Sequence, residues 1–234
     1  MKTYGFIFAR GGSKGLPRKN IKLLHGKPLI TYSIESAILS PMIDKVFVST
    51  EDTDIAAIAT QAGAEVITRP AELASDTSPE WLSWQHACQW VKDKYGDFDY
   101  LVSLPATSPL RSGEDISAAI VALLPDSPNS LPTFDACISV TPANRSPYFN
   151  MVVKYESGQI SVVNPLEGNF ARRQDVPEVF DMTTVVYSTT PKYVLSSKNL
   201  FDGKITSIEV PKERAIDIDD IYDFMLAEAI LKKG

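Results

Sequence analysis

The chain has 234 residues, 44% hydrophobic and 22% charged, with a net charge of −6, a composition that buries a full core without disulfide staples. The acidic balance argues against a general nucleic-acid or membrane-surface partner. Cys88 and Cys137 make no Cys-x-x-Cys pair for zinc, and no run approaches the ~20 apolar residues of a membrane span.

Two unpatterned thiols and an N-terminus without a signal-peptide pattern set the expectation of a cytoplasmic protein. Tyr4–Ala9 reads as a buried parallel strand. Pro28 then opens a helix running to Leu39. Lys45–Ser49 is the next strand, followed by a helix capped by Asp52, ending at Gln61 and closed near Gly63. Glu65–Thr68 is a third strand, Pro79–Tyr95 a helix carrying Trp81, Trp84 and Trp90, Tyr100–Leu104 a fourth strand, and Asp115–Leu124 a further helix. Alternation with short links predicts one α/β domain with a doubly wound, mostly parallel sheet.

Beyond Pro132 the texture changes. Ala136–Thr141 reads as a strand. Met151–Tyr155 and Ile160–Val163 flank a hairpin signal at Glu156-Ser-Gly158. Residues 142–180 are expected to form a β-rich excursion, a lid or a subunit contact, too small to hold a core of its own. Val185–Tyr187 and Ile205–Val210 return to strand character, and Asp220–Leu231 is expected to close the chain as an amphipathic helix.

In doubly wound sheets, ligands sit beyond the carboxyl ends of the strands, and there the polar clusters fall. After the first strand, Arg10–Asn20 carries Arg10, Lys14, Arg18 and Lys19 together with Gly11, Gly12 and Gly15. Glycines let backbone amides approach an anion, and fixed cations neutralise charge during phosphoryl-type transfer. Leu16-Pro17 stand where a Walker loop needs Lys-Ser/Thr, so this is a polyphosphate loop of another kind.

A second signal is Ala215-Ile-Asp-Ile-Asp-Asp220. If extended, alternation points Asp217 and Asp219 to one side, and two hard oxygen ligands there suit Mg²⁺ bridging a nucleotide phosphate. The bland account is a solvated edge capping the last helix. Ser49–Asp52, Arg69–Thr77, Thr107–Arg111 and Arg172-Arg173 add hydroxyls and cations at other loops. The tryptophans and His86 read as packing groups.

Taken together, Arg10–Asn20, Arg69-Pro70 through Asp76-Thr77, Thr107-Ser-Pro-Leu-Arg111, Arg173-Gln-Asp-Val-Pro177 and Ile216–Asp219 resemble the acylneuraminate cytidylyltransferase (CMP-sialic acid synthetase) family, in its order and spacing, over essentially the whole chain. The resemblance implies a Rossmann-like three-layer αβα nucleotidyltransferase domain over 1–234 with a β-rich dimerisation element over 142–180. It further implies a homodimer that joins CTP to a 3-deoxy-2-keto sugar acid with Mg²⁺, releasing pyrophosphate.

Carried over residue by residue, the resemblance gives Arg10, Lys14 and Lys19 to the chemistry, and Gly11, Gly12, Ser13, Asn20, Arg69, Ser75 and Ser78 to the nucleotide. It gives Thr107, Ser108, Arg111, Arg173, Gln174 and Tyr187 to the sugar acid, and Asp217 and Asp219 to both the chemistry and the metal. Two departures fall on the sugar side. Pro105-Ala-Thr-Ser-Pro109 replaces the family's Gln-Pro-Thr-Ser-Pro, and Thr183-Thr-Val-Val-Tyr187 replaces Asn-Gly-Ala-(Ile/Phe)-Tyr. The acceptor is thereby left open among sialic acid, legionaminic acid and similar nonulosonates. The alternatives are a Kdo-type or another sugar nucleotidyltransferase and a non-catalytic nucleotide-binding module.

Overall fold

The sheet is organised on β1 (Thr3–Phe8). Alternation sends Phe6 to one face and Ile7 to the other, and both are fully buried, as a strand covered on two sides requires. The computed structural model describes residues 1–13, 15–125, 127, 132–165 and 176–233. A 3-10 turn at Lys19–Ile21 leads to a small hairpin, β2 (Leu23–Leu24) and β3 (Lys27–Pro28), and then to α1 (Leu29–Leu39), β4 (Lys45–Thr50), α2 (Thr53–Gln61) and β5 (Glu65–Thr68). The chain continues through α3 (Glu80–Tyr95), β6 (Tyr100–Ser103), α4 (Gly113–Val121) and β7 (Ala136–Pro142). Beyond these come β8 (Val152–Lys154), β9 (Ile160–Val162), β10 (Phe180–Thr189), α5 (Pro191–Ser196), β11 (Ile205–Glu209) and α6 (Ile221–Leu231).

Seven strands form one sheet in the order β11-β7-β10-β6-β1-β4-β5. Every neighbouring pair is parallel except the two made by β10, which runs antiparallel to β6 and β7. Ile34 of α1, Ile55 of α2 and Ile116 of α4 pack with Ile7 on one face. Trp84 and Val91 of α3 and Val194 of α5 pack with Phe6 on the other. The expected three-layer, mostly parallel α/β architecture is what the chain builds.

A third, smaller cluster joins Leu16, Leu24, Leu29, Ile218, Phe224 and Ala227. It ties the end of the first loop, the β2–β3 hairpin, the Ile216–Asp219 segment and α6 into one unit. Each buried Leu, Ile or Phe contributes roughly 1.5–3 kcal/mol, enough to fix two polar segments beside each other although they are far apart in sequence.

Asp52 caps α2, its Oδ1 accepting from the amides of Asp54 and Ile55 at 2.9 and 3.0 Å. Gly63 closes that helix at φ +93°, where a side chain would be strained. Expected to start at Asp115, α4 starts two residues earlier because Ser112 and Asp115 make a reciprocal capping box. The strand expected over Val185–Tyr187 is the far half of a longer β10, whose near half is half exposed and weakly patterned. α5 was not expected; its signal is Thr190-Pro191, a side-chain cap followed by proline.

The last helix differs from the amphipathic expectation. Phe224 and Ala227 are buried, while Ile221, Tyr222, Met225 and Leu226 are exposed on the opposite side, so apolar residues lie on both faces. In the excursion, β8 and β9 pair antiparallel from Val152↔Val162 to Lys154↔Ile160, turning at Gly158 with φ +84°. Residues 166–175 of that excursion lie outside the described residues. Cys88 and Cys137 are unpaired and buried, and burial pushes their thiols up to about 12 and about 11, as inert packing groups. No described helix is long and apolar enough to cross a membrane.

Candidate active site

At the carboxyl ends of β1, β6 and the central part of β10 lies a cleft of about 750 Å³. Arg10, Ser13, Gly15, Lys19 and Asn20 of the first loop line it, with Asp219, Pro105, Ala106, Thr107, Thr184 and Tyr187. A smaller recess of about 250 Å³ shares Phe8, Arg10 and Glu80 with it and adds Arg69, Ser75 and Ser78. The two cavities therefore bring together residues of the first loop, the loop after β5 and Asp219.

Gly15 lies against the backbone of Asp219. A Cβ on Gly15 would stand 2.4 Å from the Asp219 carbonyl oxygen, so only glycine permits this approach. Lys19 Nζ donates to the Ile218 carbonyl at 2.5 Å and to Asp219 Oδ1 at 3.0 Å. Asn20 is buried and its Nδ2 donates to the Arg10 carbonyl at 3.0 Å, which fixes the curvature of the loop. Arg10 Nη1 pairs with Asp76 Oδ1 at 2.7 Å.

The loop amides are partly committed. Gly11 N–H donates to Glu51 Oε1 at 2.8 Å, and Ser13 N–H to the Gly11 carbonyl at 3.2 Å. Gly11 also admits no Cβ, which would meet Asp52 Oδ2 at 2.4 Å. The expected amide nest is thus occupied internally at Gly11 and Ser13, and Arg10 and Lys19 are the described groups of this loop that offer charge to the cleft. Gly12 is exposed, with open space where a Cβ would be. Lys14, Arg173 and Gln174 lie outside the described residues.

Arg69 is buried. Its Nε and Nη2 donate to Ser49 Oγ and the Ser49 carbonyl at 3.1 and 2.8 Å, and desolvation by burial lowers its pKa. Ser75 Oγ donates to the Glu72 carbonyl at 3.2 Å. Ser78 Oγ is buried without a partner among the described residues, a hydroxyl left over at the recess.

On the other wall, Tyr187 is nearly buried, and burial, followed by the charges of Glu80 and Asp217, pushes its hydroxyl up. Thr107 and Thr184 line the cleft. Ser108 is fully buried behind them, its Oγ 2.7 Å from Thr184 Oγ1. Arg111 stands apart. Its guanidinium donates to the Val185 carbonyl at 2.7 Å and to Ser33 Oγ and the Pro105 carbonyl at 2.5 Å each. Burial lowers it to about 9, so it remains charged at neutral pH. Each of its three nitrogens donates to a buried acceptor, and it does not line the cleft.

The Ile216–Asp219 segment belongs to no helix or strand; Ile218 is fully buried and its amide donates to the Thr107 carbonyl at 2.9 Å. Asp219 is exposed at the cleft. Asp217 is largely shielded, its Oδ1 buried without a partner. Desolvation and then the charge of Asp219 raise its pKa, against the hydroxyls of Thr107 and Thr184 that face it. No cluster of three or more His, Cys, Asp or Glu with metal-ligand geometry is present among the described residues. A pair of carboxylates with a free buried oxygen fits Mg²⁺ that takes its remaining ligands from phosphate and water.

Sequence reasoning missed the aromatic wall. Phe8, Trp81 and Trp84 pack in the core and also line the cleft. Helical spacing identifies the buried side of α3 but not which of its ends reaches the cleft. It also gave no role to Glu51, which sits between two unrelated loops.

A parallel sheet whose strand ends carry a glycine-and-cation loop against a paired-carboxylate segment is the layout of a nucleotide-handling α/β protein. Comparison with known proteins narrows that class. The chain belongs to the cytidylyltransferase family, whose sequence model matches residues 4–187. It is similar to the CMP-N,N'-diacetyllegionaminic acid synthase of Campylobacter jejuni, with 36% identity over 96% of this chain and 93% of that protein. It is 31% identical to the N-acylneuraminate cytidylyltransferase of Escherichia coli, over 99% of this chain and 52% of that longer protein. Among solved structures, a CMP:2-keto-3-deoxy-manno-octonic acid synthetase complexed with CTP superposes with a TM-score of 0.72. Coverage there is 100% of this chain and 99% of that one, at 16% identity, a likeness of fold.

Proposed function

We propose that the protein transfers CMP from CTP to the anomeric hydroxyl of a nine-carbon 3-deoxy-2-keto sugar acid, releasing pyrophosphate. The observation that carries this reading is the contact of Gly15 and Lys19 with Asp219, which joins the polyphosphate loop to the carboxylate pair. The relatives' names supply the nucleotide and the sugar class. In this reading Arg10, Lys14 and Lys19 hold the phosphates and stabilise charge that builds on the departing pyrophosphate. Gly12 leaves room for the phosphates, while Gly11, Ser13 and Asn20 shape the loop.

Arg69, Ser75 and Ser78 line the recess for the nucleoside. Thr107 and Tyr187 face the sugar acid, Ser108 and Arg111 support that wall from behind, and the family resemblance assigns Arg173 and Gln174 to the same substrate. The hydroxyl attacks the α-phosphorus in line, and its proton passes to the carboxylate pair. Asp217 and Asp219 would hold Mg²⁺, which when bound draws the phosphates together and makes the hydroxyl more acidic.

The whole chain acts as a single domain with 142–180 as a dimerisation element. Val152, Ile160 and Phe180 are exposed there in one protomer, an apolar surface of the kind subunit contacts cover. A cytoplasmic location suits two reduced thiols and a CTP substrate. A pyrophosphate-release assay with each of four nucleoside triphosphates against nonulosonic and octulosonic acids tests the reading. CTP with a nonulosonic acid is the expected pair. Turnover with another triphosphate, or with the octulosonic acid alone, overturns it.

A further inference from the structure

β10 loses register with β7 midway. Thr183 pairs with Ser139 and Tyr187 with the adjacent Ile138, so residues 184–186 are extra on one strand. Such bulges re-aim side chains beside active sites. Ser139 secures this one with every bond its hydroxyl can make. It donates to the Thr183 carbonyl at 3.1 Å and accepts from Thr183 Oγ1 at 2.8 Å and the Val186 amide at 3.1 Å.

The bulge presents Thr184 to the cleft. Its hydroxyl lies 2.7 Å from the fully buried Ser108 Oγ and 3.5 Å from Thr107 Oγ1. The same Thr107 accepts the Ile218 amide through its carbonyl at 2.9 Å, which docks the aspartate segment onto this wall. Asp217 faces the hydroxyls of Thr107 and Thr184 and keeps Oδ1 buried without a partner. A buried carboxylate oxygen without a partner is costly, and a bound cation would satisfy it.

We propose that Thr184, held by the Ser139-pinned bulge and by Ser108, is a positioning residue that orients the Asp217 carboxylate for its metal ion. The proposal rests on the cytidylyltransferase reading and is separable from it by experiment. Thr184→Val replaces the hydroxyl with a methyl of similar size, and Thr184→Ser restores the hydroxyl. Binding of Mn²⁺ in the presence of CTP and without acceptor is read by electron paramagnetic resonance, beside steady-state kinetics.

Loss of an outer partner of a metal ligand weakens metal binding by about 10–100-fold. Thr184→Val is expected to show that loss in Mn²⁺ affinity and a parallel fall in kcat, with KM for CTP within about twofold of wild type. Thr184→Ser is expected to recover both. Ser108→Ala, which cuts the buried end of the lattice, shifts Mn²⁺ binding the same way and serves if Thr184→Val does not fold. Unchanged Mn²⁺ affinity with a raised acceptor KM makes Thr184 a sugar contact and overturns the proposal. Failure of Thr184→Ser to rescue, or no Mn²⁺ binding by the wild type, overturns it as well. Wild-type protein that binds Mn²⁺ with CTP but turns over no sugar acid overturns the function while the variants still report on positioning.

Discussion

Lys19 Nζ lies 3.0 Å from Asp219 Oδ1, although the two residues are 200 positions apart in the chain. The ion pair itself is worth little, because Asp219 is 76% exposed and water screens such pairs. Its value is positional. The cation of the loop and the carboxylate proposed for the metal are held within one hydrogen bond of each other by the apolar cluster that contains Leu16 and Ile218.

Asp219→Asn keeps the shape and removes the charge. Losing a metal ligand costs no less than the ~10–100-fold of an outer partner, so turnover at saturating Mg²⁺ is expected to fall by at least about 100-fold. The thermal midpoint is expected to stay near wild type, since the side chain is exposed. Both are read on one preparation by pyrophosphate release and calorimetry.

Gly15→Ala tests the close approach directly. The added methyl would face a backbone oxygen at 2.4 Å, which cannot swing away as a side chain can. The loop and Asp219 must then separate, and activity is expected to fall with KM for CTP raised. Gly11→Ala meets the Asp52 carboxylate instead and disturbs the α2 cap. That cap is worth about 1 kcal/mol, or roughly 2–4 °C in the thermal midpoint of a chain this size.

Arg111 separates architecture from chemistry. Its donors bond the Val185 and Pro105 carbonyls and Ser33, so Arg111→Met leaves buried acceptors without partners. Each hydrogen bond from a charged group contributes about 1.5–3 kcal/mol. The variant is expected to lose several kcal/mol in denaturant unfolding, and any loss of activity is expected to follow the unfolded fraction.

Acid stability has an identifiable source at Asp115. Burial acts to raise its pKa, but the Arg214 side chain and the Ser112 amide outweigh burial, and the net effect is a lowered pKa. Arg214 Nε and Nη2 reach the two carboxylate oxygens at 2.9 and 2.8 Å. A folded pKa below the unfolded value of 3.8 gives stability that is full above 3.8 and is lost as pH falls through it toward the folded value. Wild type is therefore expected to lose stability more steeply than Asp115→Asn as pH falls below about 4. Urea midpoints across that range measure the difference.

The fold was legible because period-2 and period-3.6 patterns alternate from Tyr4 to Leu104, and breaks such as Asp52, Gly63 and Gly96 carry a cap or glycine. α5 and the full length of β10 were less legible, since both depend on partners far along the chain. The loop and the aspartate pair stood out because charge and glycine concentrate where a buried strand ends. What spacing could not reveal was that Glu51 occupies the Gly11 amide, that Arg111 turns inward, or that a bulge presents Thr184 to the cleft. Those are facts of three-dimensional neighbours, not of pattern.

The central claim is that the Arg10–Asn20 loop and the Asp217–Asp219 pair form one site that makes a CMP–sugar acid from CTP. ³¹P NMR of a reaction containing CTP, Mg²⁺ and a nonulosonic acid reads that chemistry most directly. The expected spectrum shows pyrophosphate and one new phosphodiester resonance in equal amounts. A new diphosphate linkage, or CTP left intact with every sugar acid of the class, would contradict it.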